Sequence, residues 1–404
     1  METDWHIAGF DEVERQLVKL RPYLPDGDST VKEHNGNVCG SSRMYEKCFP
    51  DEHCAPSDGG DESLLSLVNV GGSSNSTPLC GSSVSSSWFE FTDTVVLVSI
   101  RHQYQFLGKG AHSTVYRGTI TDHAHQNEVR TVAVKVTRLQ FVCPGDIDHL
   151  IRILRLGKSI CHSCFIRCFY IGLPQVKDGQ REEIKLYEAL ELASGGTLDT
   201  LLKKEERLSE NVVRRILVDI LGVLKHLHDE VGVVHNDVKP LNILLVVGES
   251  KNDVRYKLSD IDAMCAINPS RFGDDVRITG DANMEGSERL CGTPLYMSPE
   301  SCRGVYSLPA NDIWSVGVMT YQLSTGRLPW GQLELQVPSM ILHGFRRVGD
   351  SSFGPILDEF NPDYVSTYSD ELKDFVRCCL TKEASDRPSA STLLRHPFIS
   401  ASVT

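Results

Sequence analysis

The chain carries the run His235-Asn236-Asp237-Val238-Lys239-Pro240-Leu241-Asn242, and Asp260 follows eighteen residues after Asn242. A carboxylate, an ammonium and an amide therefore fall on one short segment, with a second carboxylate on the next hairpin-like stretch. Phosphoryl transfer from a magnesium nucleotide needs such a set: a group to orient a hydroxyl, a cation near the phosphates and two oxygen ligands for the metal. Taken singly, each residue is as readily a loop hydrogen-bonding group. Their order and spacing together make coincidence a poor account. Upstream, Gly108-Lys109-Gly110-Ala111-His112-Ser113 lies between two strand-like segments. Glycine permits close backbone approach to phosphates, although this run alone also suits an ordinary hairpin turn.

The elements around these residues can be read from periodicity. Thr94–Val98 reads as a strand, and Phe106–Gly118, Thr131–Val136 and Ile184–Leu192 continue the β pattern. Asp146–Lys158 repeats apolar residues at helical spacing through Ile147, Leu150, Ile151 and Leu154. Beyond Gly196 the pattern turns helical, at Val212–His228, Asn311–Ser324, Asp370–Leu380 and Ala390–Leu394. A β-rich first part and a helical second part make an α+β, two-lobed architecture, and the crevice between lobes is the default small-molecule site.

Residues 1–92 read as an acidic, Ser/Gly-rich extension, largely disordered, with the first lobe at 93–193 and the second at 194–400. Ile7, Phe10, Val13, Leu17 and Leu20 fall roughly on one face of a short helix. Such a helix is either transient or a docking segment that folds on a partner or on the main body. Residues 21–62 and the serine-rich 71–87 read as flexible linker. Order is expected to begin near Asp93.

The 404 residues are 40% hydrophobic and 24% charged, as in a soluble globular protein. No apolar run approaches the about 18 residues a membrane helix needs. The start, Met1-Glu2-Thr3-Asp4, lacks the order of a secretory signal. The thirteen cysteines are therefore expected as reduced thiols, in a cytoplasmic protein with the nucleus as the alternative. Cys161-His162-Ser163-Cys164 lacks a second pair at zinc spacing and suits core packing better. The net charge is −13; residues 1–90 hold 15 acids and 6 bases, so most of the excess sits in the extension. Nothing in this distribution suggests a nucleic-acid surface.

The catalytic-loop run, the glycine run, Val132-Ala133-Val134-Lys135, and Gly292-Thr293-Pro294 through Ser298-Pro299-Glu300 together resemble the eukaryotic serine/threonine protein kinases, over about residues 96–400. The resemblance implies ATP and Mg2+ as cofactors and a protein substrate. It implies catalytic roles for Asp237, Lys239 and Lys135, with Asn242 and Asp260 as metal ligands. Leu107, Gly108, Gly110 and Val115 would cover the nucleotide. Ala133 and Leu244 would sandwich adenine, and Glu191 and Ala193 would pair with it through backbone groups. Thr293 would brace Asp237 and Lys239, Asp312 would brace the catalytic loop, and Arg387 would pair with Glu300.

The sequence departs from the family at four points. Counting back from His162 places Ile153 where a helix glutamate would pair with Lys135; Asp146 and Asp148 are the nearest acids. Asn236 stands where an arginine usually reads an activation-segment phosphate. Asp262 replaces a glycine in Asp260-Ile261-Asp262, and Ser113 replaces the third loop glycine. An active kinase that needs no activation-loop phosphate is expected; the alternative is a pseudokinase scaffold. Asn268–Glu288 reads as a mobile loop, with Ser270, Thr279 and Ser287 as candidate phosphorylation sites. Neither Leu241 nor Thr197 offers a charge to favour arginine upstream of the acceptor.

Overall fold

A computed structural model describes residues 10–20, 86–89, 96–101, 106–110, 113–122, 128–139, 144–173, 184–248, 253–268, 292–330 and 368–400. The linker readings at 21–62 and 71–85, and the three candidate phosphorylation sites, lie outside them.

The first lobe is built on one antiparallel sheet of β1 (Ser86–Phe89), β2 (Val96–Arg101), β3 (Phe106–Lys109), β4 (Ser113–Asp122), β5 (Glu128–Arg138), β6 (Cys168–Gly172) and β7 (Lys185–Leu190). The strand order is β1-β2-β4-β5-β7-β6, and β3 pairs with β4. The β-branched run of β5 suits a half-buried pleated surface. Its side chains alternate. Val132 and Val134 join Ile120, Tyr170, Tyr187 and Ala189 in a core on one face. Ala133, Lys135 and Thr137 must then point to the other face. That face is closed by α2 (Pro144–Lys158), which sets Ile147, Ile151 and Leu154 against Ile171, Leu173 and Leu186.

A further helix, α1 (Phe10–Leu20), packs against α2 and β6. Its Val13 and Leu17 are fully buried in the same cluster, and Glu14 pairs with Arg155 of α2. Of the two readings open for this segment, the structure takes docking on the main body. The strand β1 also pairs ahead of Asp93, where order was expected to begin.

The second lobe holds the larger core, formed by α3 (Leu198–Glu205), α4 (Glu210–Lys225), α5 (Pro299–Cys302), α6 (Ala310–Thr325) and the helix Asp370–Cys379. Among their sequence signals, α6 is apolar nearly all round, and it runs through the centre of this lobe buried on every side. Short hairpins carry the functional loops. The strand β8 (Val233–Val234) leads into the catalytic run and pairs with β11 (Cys265–Ala266), while β9 (Ile243–Val247) and β10 (Val254–Leu258) pair between Asn242 and Asp260. The α+β class with a β-sheet first lobe and a helical second lobe is as expected. Within Phe106–Gly118 the glycine run separates two strands, as read, and the Gly110 N–H donates forward to the Ser113 carbonyl at 2.8 Å.

Candidate active site

Lys135 sits on β5 with its side chain buried. Its Nζ donates to Asp260 and Asp262 at 3.0 Å each, and Glu188 Oε2 stands 3.9 Å away. Burial opposes the charged ammonium, but Glu188, Asp262 and Asp260 more than offset it, so the Lys135 pKa stands well above its ordinary value. Burial also pushes the Asp260 carboxyl up. The adjacent Lys135 charge and hydrogen bond pull harder, and the net value falls to about 2. Glu188 is raised to about 7, mainly by burial, with Lys135 pulling the other way.

Asp237 anchors a second cluster. Its carboxylate accepts from Lys239 Nζ at 2.7 Å, Asn242 Nδ2 at 2.8 Å and Thr293 Oγ1 at 2.7 Å. Lys239 also donates to the Thr293 hydroxyl at 2.5 Å. Thr293 thus holds the relative positions of Asp237 and Lys239. Beneath them, the buried Asp312 of α6 accepts the backbone N–H groups of His235 at 2.8 Å and Asn236 at 2.7 Å, and pairs with His228. The Ser259 N–H and hydroxyl both donate to the Asn242 carbonyl at 2.9 Å, and His235 Nε2 lies 3.1 Å from the Ser259 carbonyl. Ser259 precedes Asp260, so these bonds join the two clusters into one site.

Asn236 has φ 62°, a left-handed conformation that asparagine tolerates better than most side chains. Its amide donates to the carbonyls of Ala263 at 3.2 Å and Tyr306 at 3.0 Å. Gly292 passes so close that a Cβ there would lie 2.2 Å from the Asn236 carbonyl oxygen, and its φ is +100°. Arg387, fully buried, reaches Glu300 at 2.5 Å and the carbonyls of Ala310 and Thr381. Its guanidinium also stacks on Trp314.

The other candidate residues sit on the strands and turns next to these groups. Leu107, Gly108 and Gly110 stand at the end of β3 and its turn, with Val115 opposite Gly108 on β4. Ala133 pairs with Leu190 across β5 and β7, and Leu244 lies on β9, bridged to Thr197. The Glu191 carboxylate is turned to Lys257, 2.8 Å away, and its N–H donates to the Arg167 carbonyl at 2.8 Å, so its backbone carbonyl is the group left to meet a nucleotide. Ala193 gives its carbonyl to the Gly196 N–H at 3.3 Å. For a magnesium ion the donor types fit. Asn242 spends both amide hydrogens on Asp237, which fixes Oδ1 on the opposite side. Asp260 and Asp262 supply further hard oxygen donors.

Two features escaped the sequence reading. One is Glu188 on β7, the third carboxylate near Lys135; the helix position Ile153 is buried and, as read from the sequence, supplies no acid to the lysine. A glutamate in the otherwise apolar Leu186–Leu190 stretch was the available signal, since a buried acid requires a partner. The direct bond from Asp262 to Lys135 likewise needed coordinates. The ligand atoms of Cys161, His162 and Cys164 do not converge; among the described residues, Asp374, Cys378 and His396 form the one group of three His, Cys, Asp or Glu ligand atoms close to one another. No described helix is long and apolar enough to cross a membrane.

Known proteins with similar sequences are protein kinases. The chain is 31% identical over 296 residues to mitogen-activated protein kinase kinase kinase ANP1 of Arabidopsis thaliana, covering 73% of this chain and 39% of that protein. It is 31% identical over 299 residues to mitogen-activated protein kinase kinase kinase nsy-1 of Caenorhabditis elegans, covering 72% and 17%. The kinase kinase kinase YODA of Arabidopsis thaliana is 30% identical over 73% of this chain and 29% of its own length. The matches thus span less than half of these relatives. The family model described as a protein kinase domain matches residues 101–399, and the chain belongs to that family, of the eukaryotic serine/threonine type.

Proposed function

We propose that the protein transfers the γ-phosphate of ATP to serine or threonine hydroxyls of a protein substrate, with magnesium, and without prior phosphorylation of its activation loop. The observation that carries this is the joined cluster of Asp237, Lys239, Thr293 and Asn242 with Lys135 and Asp260. Asp237 would accept a hydrogen bond from the acceptor hydroxyl, and Lys239 would neutralise the transferring phosphoryl group. Lys135 would hold the α- and β-phosphates. Asn242 and Asp260 would hold magnesium, which when bound neutralises phosphate charge. The backbone of Glu191 and Ala193 would meet adenine between Ala133 and Leu244.

Independence from loop phosphorylation rests on Asn236. Where a phosphate-reading cation would stand, a neutral amide already ties the segments at Ala263 and Tyr306 together. The names of the relatives, as kinase kinase kinases, point to another protein kinase as the substrate class. With Leu241 half exposed and Thr197 capping α3, no acid at those positions would select an upstream arginine.

One observation favours a second reading, a nucleotide-binding scaffold: Lys135 is occupied by Asp260 and Asp262. Phosphatase-treated protein assayed with protein kinase substrates and a magnesium titration separates the readings. Serine or threonine phosphate that appears only with magnesium supports transfer, and magnesium-dependent nucleotide binding without turnover supports the scaffold. Activity abolished by the phosphatase overturns loop independence.

A further inference from the structure

Lys135 has lost its usual kind of partner, yet a buried ammonium requires one. The three carboxylates that meet it differ in what else they can do. Asp260 is the proposed magnesium ligand and must turn toward the metal. Asp262 is 61% exposed in its side chain and sits on the same loop. Glu188 is different. Its side chain is 7% exposed, its strand is central in the sheet, and its Cα is paired directly opposite that of Lys135 across β5 and β7. On the other side it is paired with Ile171, which packs against Ile147, Ile151 and Leu154 of α2. Residues paired across strands share a face, so Glu188 stands beside the lysine under the helix. Among the described residues, Lys135 is the one cation within ion-pair distance of it.

We infer that Glu188 is a positioning residue that holds Lys135 against the nucleotide phosphates, in place of an acid on the helix. The inference rests on the nucleotide site proposed above. Once Asp260 turns to magnesium and Lys135 to phosphate, the buried carboxylate keeps the ammonium from swinging outward. The 3.9 Å separation lets the contact tighten when the two aspartates release the lysine. The hydrogen-bonded ladder fixes this pair, whereas a helix-borne pair depends on how the helix is seated. Movement of α2 therefore leaves the lysine anchored, and activity in this chain is uncoupled from that helix at the Lys135 contact.

The test is a double-mutant cycle in the full chain with Glu188→Gln and Lys135→Ala, read by binding of a fluorescent ATP analogue with magnesium and by steady-state kinetics. Glu188→Gln is expected to lower kcat/KM for ATP at least about tenfold and to leave KM for the protein substrate within about twofold. In the Lys135→Ala background, the same substitution is expected to change nucleotide affinity by less than about twofold. Glu188→Asp, which keeps the charge, is expected to recover at least about threefold of the loss, and it replaces Glu188→Gln in the cycle if the latter does not fold. A kcat/KM for ATP that stays near wild type, or an affinity loss undiminished without Lys135, overturns the inference. Wild-type protein that binds nucleotide but transfers no phosphate would sink the kinase reading alone, because the binding cycle still reports on Glu188.

Discussion

In the proposed nucleotide site the Lys135 ammonium would face a choice between protein carboxylates and phosphates, and Asp262 would bias that choice. Its bond to Nζ, at 3.0 Å, would compete directly with the nucleotide proposed above. Asp262→Gly should therefore raise the fraction of binding-competent protein and tighten magnesium-nucleotide affinity by about three- to tenfold, measured by titration calorimetry. Unchanged or weaker binding would mean that Asp262 does not compete. Gly292 shows the opposite kind of constraint. Gly292→Ala would push a methyl group into the Asn236 carbonyl at a φ reserved for glycine. A loss of about 1–3 kcal/mol in denaturant stability is expected, together with much reduced turnover. At this scale the sequence was legible where motif spacing is local. Asp237, Lys239 and Asn242 lie within six residues and meet as expected. The partner of Lys135 was not legible, because pairing with Glu188 is a matter of strand register over 53 positions rather than of spacing along one helix.

Among the elements, α2 follows directly from its apolar periodicity and α6 from a long helix-compatible stretch buried on every side, and their ends fall within two residues of the expected bounds. The docking of α1 could not be read so directly, since an amphipathic face states that something covers it but not what. Here the cover is α2 and the sheet, through Val13 and Leu17. Leu17→Ala removes a fully buried side chain and should weaken this contact by about 2–5 kcal/mol. Hydrogen exchange should then speed up in α1 and in the facing turns of α2, and leave α6 protected; unchanged exchange in α1 would contradict the docking. The second lobe has its own brace in Glu300 and Arg387. Glu300→Ala leaves a buried guanidinium without its charge partner and should cost about 3–5 kcal/mol, read from the denaturant midpoint. A cost below about 1 kcal/mol would show that the carbonyls of Ala310 and Thr381, with Trp314, suffice to hold Arg387.

For the whole molecule, the Lys135–Asp260 bond matters most, because it joins a first-lobe lysine to the second-lobe cluster that the Ser259 bonds hold together. The two-lobed class was legible from the change of period near Gly196. That Lys135 and Asp260, 125 positions apart, share a site was implied by the family resemblance; their direct bond came only from the fold. If that joined site transfers phosphate, its output must depend on the carboxylate that meets the acceptor hydroxyl. The most direct measurement is radiolabelled phosphate incorporation into a protein substrate by purified wild-type chain and by Asp237→Asn. The expected result is labelling on serine or threonine by the wild type, reduced about 10²–10⁴-fold by the substitution while magnesium-nucleotide binding persists. Equal incorporation by the two proteins would contradict the account.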